Sequence, residues 1–270
     1  MAAESTVSPA VRHAALFAHD DLPDPPPGHP FQLIRRPGYA IGAFPGGTFG
    51  TIAVTAIEPE AFADVLADVR AALSEEGMGR AVWFVADACP TGLLETMLAR
   101  GLLPSDEPPF EPYVTAMALV TAPAPGPGDV EARLAASFEE FVEARRISDD
   151  AFEMSEADRQ AFEARSRDLW KFELDDGDYR TYVALIDGEV IAFAAAIAGA
   201  NATYLSGGGT RADRRGRGAY RSLVRARWDG AVERGTPALT VGAGAMSGPI
   251  LERLGFEPVG RIDCLVDRFE

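Results

Sequence analysis

Apolar and polar positions along the first 120 residues alternate with the periods of strands and helices. The apolar residues of 59–73 recur every three or four positions, which predicts a helix with one buried face. Short β-favouring runs stand on both sides of it. The predicted order is a short helix over 9–17, strands within 31–57, a helix over 59–73, a strand over 81–86, a helix over 91–98 capped by Thr91 or Asp87, and a strand over 113–120.

The pattern beyond residue 130 predicts a second series of elements. Ser155, with Asp158 three positions on, resembles a capping box and predicts a helix start at residue 156. Asp187-Gly188 between two β-favouring runs predicts a hairpin. The predicted order is a helix over 130–146, a helix over 156–170, hairpin strands over 179–186 and 190–198, a strand over 202–205, a helix over 219–232, a strand over 238–241, a helix over 247–254 and a strand over 262–267.

A segment rich in Pro, Gly and Ala, residues 123–129, separates the two series and predicts a linker. We therefore expect two domains, residues 1–122 and residues 130–270, which are called the first half and the second half below.

The two halves end in similar sequences. Thr91-Gly92 and Ser247-Gly248 each follow a predicted strand and open a predicted helix. These helices end at Gly101-Leu102 and Gly255-Phe256, and a further strand follows each of them. A duplicated α/β unit explains the similarity. The alternative is chance similarity, because amphipathic segments are common.

Composition and charge exclude several classes of function. The chain has 270 residues and a formal charge of −16, and such a field repels nucleic acid. No apolar run approaches the ~20 residues that a spanning helix needs, and the N-terminus lacks the basic start of a signal peptide. We therefore expect a cytoplasmic protein with no nucleic-acid or membrane partner. Cys89 and Cys264 are expected to be thiols.

All the histidines, His13, His19 and His29, lie in the first 30 residues, so neither a histidine triad nor a metal site is expected.

The candidate chemistry concentrates in residues 203–221, which predict a strand, a glycine-rich stretch, an arginine- and glycine-rich turn and a helix start. Free amides at a helix N-terminus attract anions, and arginines and glycines there favour a phosphate. The only lysine is Lys171, which excludes a P-loop. A dinucleotide fingerprint needs a carboxylate after the next strand, where Gly242-Ala243-Gly244 stands instead.

The arginines of this region divide into two groups. Arg225 and Arg227, on the predicted helix, fit a solvated helix face. The others cluster at the glycine turn and fit an anionic ligand of limited size: Arg211, Arg214, Arg215, Arg217 and Arg221.

The turn Arg215-Gly216-Arg217-Gly218-Ala219-Tyr220 resembles the Arg/Gln-x-x-Gly-x-Gly/Ala motif of the GCN5-related N-acetyltransferases (GNAT), with Tyr220 where Gly or Ala is usual. Leu254-Gly255-Phe256 resembles another common feature of the family. The order of elements from residue 129 to 270 is similar to the GNAT order.

This resemblance implies an α/β (α+β) fold of tandem GNAT units with a mixed central sheet flanked by helices. The first half, over about 31–120, resembles a degenerate copy without the turn, since Glu58 and Glu60 stand there and would repel a pyrophosphate.

The resemblance also implies roles for individual residues, with acetyl-CoA as cosubstrate and no metal. The coenzyme A pyrophosphate is expected on the amides of Arg215, Gly216, Arg217, Gly218, Ala219 and Tyr220. The pantetheine arm is expected along the backbone of Gly208, Gly209 and Thr210, with the Thr210 amide facing the thioester carbonyl. The acceptor is expected to be a primary amine of a small molecule, and a homodimer is an open expectation.

The catalytic groups are less clear in the sequence. Tyr204 stands where many GNAT members have a glutamate base, and Leu251 where many have a tyrosine acid. Tyr204 or Ser247 can substitute, although a packed aromatic ring and a helix N-cap are their structural alternatives. Direct attack by positioning alone and the C-terminal carboxylate of Glu270 also stay open.

Acidic residues in the second half allow one expectation about the acceptor. An acidic rim would attract a cationic amine, and a solvated acidic loop is the alternative. The residues concerned are Asp149, Asp150, Glu153 and Glu156.

Two other functions stay compatible with the sequence. One is a non-catalytic acyl-CoA-binding or scaffold protein, which the missing glutamate and tyrosine favour. The other is a module that binds a different phosphate, such as a nucleotide.

Overall fold

One mixed sheet runs through both halves of the protein. The computed structural model describes residues 6–44, 47–106, 108 and 110–270. In this part of the chain thirteen strands share the sheet, and helices cover it. The predicted mixed central sheet flanked by helices is therefore confirmed.

The elements follow one another along the chain in two series. The first half contains α1 (Pro9–Leu16), α2 (Ala18–Asp21), β1 (Gln32–Arg36), β2 (Tyr39–Ala43), β3 (Gly50–Val54), α3 (Phe62–Glu75), β4 (Arg80–Ala86), α4 (Leu93–Ala99), β5 (Leu103–Pro104) and β6 (Tyr113–Leu119). The second half contains β7 (Glu131–Leu134), α5 (Phe138–Ala151), α6 (Glu156–Glu163), α7 (Ser166–Asp176), β8 (Tyr179–Ile186), β9 (Glu189–Ala198), β10 (Thr203–Tyr204), β11 (Gly208–Thr210), α8 (Ala219–Glu233), β12 (Leu239–Ala243), α9 (Gly248–Arg253) and β13 (Glu257–Arg268).

The last strands of the two halves are exchanged. The strand order is β1-β2-β3-β4-β13-β6-β12-β10-β9-β8-β7. The final strand of the second half, β13, pairs antiparallel with β4 of the first half. The final strand of the first half, β6, pairs antiparallel with β12 of the second half, and β6 and β13 pair with each other between them. Each half therefore completes the sheet of the other.

The same succession of pairings occurs on both sides of this exchange. In the first half, β1, β2 and β3 pair antiparallel, and β3 pairs parallel with β4. In the second half, β8, β9 and β10 pair antiparallel, and β10 pairs parallel with β12. A common origin of the two halves and the boundary at 123–129 stay predictions.

The sheet has two differently covered faces. One face carries the main cores and is called the helical face below. On it, α3 and α4 pack on the first half of the sheet, and α8 and α9 pack on the second half. On the opposite face, α5 and α7 pack on β8, and α1 packs on β6, β12 and β13. This second face, called the cavity face below, is where the candidate site lies. In the described part of the chain, no helix is long and apolar enough to span a membrane.

The start of the second half corrects one prediction. The predicted helix over 130–146 is instead strand β7 followed by α5, whose N-cap Ser137 accepts a hydrogen bond from the Glu140 amide. Residues Glu131–Leu134 are extended because β8 offers them a ladder partner. This partner lies about 50 residues away in sequence, and a local helical period does not indicate it.

Two further helix predictions are corrected in part. The predicted helix over 156–170 forms two helices, α6 and α7, separated at Ala164 and Arg165. Its start is confirmed, since the Ser155 hydroxyl accepts from the Asp158 amide. Helix α4 has neither Thr91 nor Asp87 as its cap. It begins after Gly92, which has a φ of 86° and supplies no side chain.

An ion pair fixes the exchanged strand β13 to the first half. Asp267 on β13 is buried, and Arg70 on α3 donates two hydrogen bonds to it, at 2.6 and 2.8 Å. We expect Asp267→Asn to lower the free energy of unfolding by about 1–3 kcal/mol, because one charge-assisted fork is lost across the exchange. Urea unfolding of the full chain measures this.

Asp263→Asn is the matched control, because Asp263 pairs with Arg261 on the same strand. Equal losses in the two variants would contradict a special role for the Arg70 pair.

Candidate active site

A gap opens in the sheet where β10 gives way to β11. Strand β10 pairs with β9 on one side and β12 on the other. The Leu205 amide still donates to the Thr240 carbonyl of β12. Beyond it, β11 pairs with β9 alone. The chain bends at Gly207, whose φ of 121° is readily adopted only by glycine. Strand β11 therefore has one open edge.

The open edge carries free backbone groups of Gly208 and Thr210. The Gly207 carbonyl accepts from Ala195, and the Arg211 amide donates to Ile191. Antiparallel pairs alternate between bonded and non-bonded positions, so Gly209 is the bonded residue between them. The N–H and C=O groups of Gly208 and Thr210 then point away from β9. An extended ligand can add to this edge as a strand does.

Glycine is required on this edge by close neighbours. A Cβ at Gly209 would lie 2.7 Å from the Cβ of Ala151 on α5. A Cβ at Gly208 would lie 3.3 Å from the ring of Tyr220. Side chains here would push β11 away from its neighbours, so the glycine run keeps the edge accessible and in register.

A buried arginine supports the bend. Arg227 on α8 is 1% exposed, so the prediction that it lies on a solvated helix face is wrong. Its guanidinium donates to the carbonyls of Ala195 and Gly207, each at 3.2 Å, and to Leu223. Arg227 stands four positions after Leu223 and three after Val224, on the apolar face of the helix, but the charge of an arginine ordinarily indicates exposure. Arg225 is partly exposed and pairs with Asp229.

The predicted phosphate turn follows β11 after one short 3-10 helix, Ala212–Arg214. Gly216 and Gly218 both have a φ of 78°, and α8 starts at Ala219. From residue 215 onward, the first described amide that donates to a backbone carbonyl is the Ser222 amide, which donates to Gly218. The preceding amides, from 215 to 221, are therefore available to an anion.

The arginines at the turn are not equivalent. Arg211 and Arg214 both pair with Glu189, at 2.8 and 2.7 Å. Arg217 contacts Asp129 of the predicted linker at 3.3 Å. Arg215 and Arg221 are exposed. Neither has a carboxylate partner among the described residues, so these two side chains offer the least compensated positive charge at the turn.

The chain is similar to known acetyltransferases in part of its sequence and in its fold. A family model for the acetyltransferase (GNAT) domain matches residues 124–247. Residues 124–247 are a GNAT domain. No curated protein sequence matches the chain.

Solved structures extend the similarity of fold to the whole chain. A GCN5-related N-acetyltransferase from Kribbella flavida has a TM-score of 0.64 at 20% identity, with 95% of each chain covered. A tandem GNAT protein from the clavulanic acid biosynthesis pathway has a TM-score of 0.57 at 16% identity, covering 96% of this chain and 93% of that one. A functionally unknown protein from Staphylococcus epidermidis has a TM-score of 0.61 at 12% identity, covering 88% and 93%. These identities show the fold alone.

The turn of this GNAT domain departs from the family motif at Tyr220. The ring points inward, lies against Gly208 and stands beside the guanidinium of Arg227. Burial raises the pKa of Tyr220, and the charge of Arg227 opposes that shift. The tyrosine side chain, which is larger than the Gly or Ala of the motif, thus fills space under the open edge.

The cavity beside the open edge brings together several predicted site residues. It has a volume of about 1850 Å³ and is lined by residues of both halves. All the predicted cofactor-binding residues line it, from Gly208 to Thr210 and from Arg215 to Tyr220, as do Tyr204 and Ser247.

The two predicted catalytic residues occupy different settings in this cavity. Tyr204 lies on the cavity face, and burial raises the pKa of its phenol. Among the described residues, its hydroxyl has no hydrogen-bond partner. Ser247 stands at the N-cap position of α9, but its hydroxyl makes no capping bond and donates to the Gly244 carbonyl at 3.4 Å.

The other two positions considered for catalysis, Leu251 and Glu270, do not line the cavity. Leu251 is fully buried in the core on the helical face. Glu270 follows Phe269, whose amide donates to Gly79 of the first half, and Glu270 does not line the cavity.

Most carboxylates of the predicted acidic rim have partners within the protein. Asp149 is buried and lies 2.8 Å from Arg145. Asp150 pairs with Arg159 at 2.9 Å. Glu156 accepts from Gln160, and Glu153 is exposed at the edge of the cavity.

The structure adds Glu173, which sequence patterns did not single out. It lies on α7, is 5% exposed and lines the cavity. Its two oxygens accept from the amide and hydroxyl of Thr181 on β8. Burial raises the pKa of Glu173 to about 7, against the opposing effect of the Thr181 hydrogen bonds. A carboxyl with such a pKa can accept a proton near neutral pH. Glu173 lay beyond the end of the predicted helix, so no pattern indicated its burial.

We expect Gly209→Ala to weaken acyl-CoA binding by about tenfold or more, since a Cβ only 2.7 Å from Ala151 forces β11 to move. Calorimetric titration measures it. Gly248→Ala is the control, because a Cβ there meets nothing within 4 Å. Unchanged affinity in Gly209→Ala would argue against the β11 edge as the binding strand.

The Glu173 carboxyl also predicts a pH dependence of stability. Its pKa is about 7 in the folded protein and about 4.5 when unperturbed, so its protonated form favours folding. This contribution is complete below pH 4.5 and is lost as pH rises to 7. Relative to Glu173→Gln, the native chain should lose roughly 3 kcal/mol over that interval. Urea unfolding between pH 4.5 and 8 tests this.

Glu163→Gln on the exposed side of α6 serves as the control for that titration. Parallel stability curves for the native chain and Glu173→Gln would contradict the buried-carboxyl argument.

Proposed function

We propose that this protein transfers an acetyl group from acetyl-CoA to the primary amine of a small molecule. The observation that carries the proposal is the open edge of β11, continuous with a turn of free amides and arginines. An acyl-CoA has the complementary parts, an extended pantetheine arm and a pyrophosphate. Membership in the GNAT family supports acyl transfer in general.

Gly208 and Thr210 would hold the pantetheine arm through their outward N–H and C=O groups. The amides from 215 to 220, with Arg215, would bind the pyrophosphate. An N–H of the open edge can also donate to the thioester oxygen as negative charge develops there. The glycine run and Arg227 fix that edge before the ligand arrives, which lowers the cost of ordering it.

The transfer requires two proton movements. The amine nitrogen attacks the thioester carbon, the C–S bond breaks, the amine loses a proton and the thiolate gains one. Glu173 suits the role of proton acceptor, since its pKa is about 7. The Tyr204 hydroxyl lies at the cavity and has no hydrogen-bond partner among the described residues, so it suits the role of proton donor to sulfur. The cytoplasmic location and the homodimer stay predictions.

A non-catalytic acyl-CoA-binding protein is the second candidate. The observation that favours it is Leu251, which fills the core where many family members place a tyrosine acid. Such a protein would bind acetyl-CoA but release no thiol with any amine of a broad panel.

Calorimetry with acetyl-CoA tests the proposal at its binding step. We expect the native chain to bind and the double variant Arg215→Glu/Gly218→Glu to lose binding, because two carboxylates would repel the pyrophosphate. Arg100→Glu, an exposed charge reversal in the first half, should bind normally. Failure of the native chain to bind acetyl-CoA would overturn the proposal.

A further inference from the structure

The first half presents an unusual row of phenylalanines on the cavity face. Five of them line the cavity, and none is fully buried. We call this surface the phenylalanine wall: Phe31, Phe44, Phe49, Phe84 and Phe110. Their rings contact one another in pairs, at centroid distances from 4.9 to 5.7 Å.

The wall is not part of the hydrophobic core. On β4, Trp83 points to the helical face and is fully buried under α3 and α4. The next residue, Phe84, points to the opposite face and stays partly accessible. Accessible aromatic surface of this kind is costly in water and commonly marks a binding site.

Contacts on two sides bound the wall and make it part of a partly open cleft. Arg35 on β1 donates to Asp24 at 2.6 Å and to the carbonyls of His19 and Leu22, which fixes the N-terminal segment in place. On another side, the Thr48 hydroxyl donates to Asp158 of α6 at 2.8 Å. A concave cleft bounded in this way suits a small molecule better than a second protein surface.

The cleft is continuous with the acyl-transfer site. Between the wall and Tyr204, the cavity is lined by side chains of the exchanged region, including Val114 of β6 and Ile262 and Cys264 of β13. The volume of about 1850 Å³ exceeds the roughly 300–1,000 Å³ of a usual ligand pocket. The space therefore holds more than a coenzyme arm.

Charge decides which ligand suits this space. Carboxylates line the cavity on several sides, among them Asp106, Glu111 and Glu173. Among the described residues, the cavity arginines without a carboxylate partner all belong to the second half: Arg165, Arg215, Arg221, Arg227 and Arg253. An apolar amine gains from both the aromatic surface and the carboxylates, whereas a long acyl chain gains only from the first.

We propose that the acceptor is a primary amine with a bulky aromatic or similarly apolar body, which lies on the phenylalanine wall of the first half. This inference rests on the proposed acetyl transfer and names its substrate class. It gives the first half, which has no phosphate turn of its own, the role of selecting the acceptor.

Three matched probes test the proposal on the full chain in the presence of coenzyme A. 3-Phenylpropylamine carries both a ring and an ammonium, propylamine lacks the ring, and 3-phenylpropanol lacks the ammonium. We expect the first to bind at least about tenfold tighter than either of the others, measured by calorimetry. If propylamine binds as tightly as 3-phenylpropylamine, the ring has no role. If 3-phenylpropanol binds as tightly, the ammonium charge has no role.

The double variant Phe31→Ser/Phe44→Ser removes one contacting pair of the wall, in which Phe44 is 39% exposed. It should bind 3-phenylpropylamine about as weakly as propylamine and leave acetyl-CoA affinity within about twofold. Leu98→Ser is the control, since Leu98 is 41% exposed on α4 and lies outside the cavity. Native affinity for the aromatic amine in the double variant would overturn the proposal.

Decanoyl-CoA separates the acceptor from the acyl chain as occupant. If the double variant weakens decanoyl-CoA and not 3-phenylpropylamine, the wall serves the acyl chain and the proposal is wrong. If acetyl-CoA binds normally and only the amine preference is missing, this inference fails while the proposed acetyl transfer stands.

Discussion

Backbone hydrogen bonding between β4, β13, β6 and β12 holds the two halves together. Because each half donates its last strand to the other, the central ladders are formed only when both halves are present. The Arg70–Asp267 pair adds a charge-assisted bond across this exchange. The sheet is thus one continuous structure, and the twist and register of each half constrain the other.

This continuity also shapes the candidate site. With one sheet, both halves share a cavity face, and side chains of β4, β13 and β10 line a single cavity. Two separate sheets would leave the phenylalanine wall and the open edge of β11 without a fixed relation. The exchange therefore explains how a half without a phosphate turn can contribute to a GNAT site.

Within the second half, the site depends on a local failure of pairing. The chain leaves β12 after Leu205, and Arg227 supports the bend by donating to the carbonyls of Ala195 and Gly207. Burial of a guanidinium costs desolvation free energy, and its hydrogen bonds to carbonyls offset part of that cost. The glycine run then keeps the exposed edge free of side chains.

The sequence by itself determined the features that depend on neighbours in the chain. The strand, glycine run, phosphate turn and helix of 203–221 are contiguous, so their residue types indicate their structure directly. The hairpin at Asp187-Gly188 and the cap at Ser155 are local for the same reason. The resemblance to the GNAT family rested on these features. Tertiary structure decided the strand exchange, β7, the carbonyl partners of Arg227, and the places of Glu173 and the phenylalanine wall. These depend on which distant strands pair and in what register, and local periodicity carries no information about that choice.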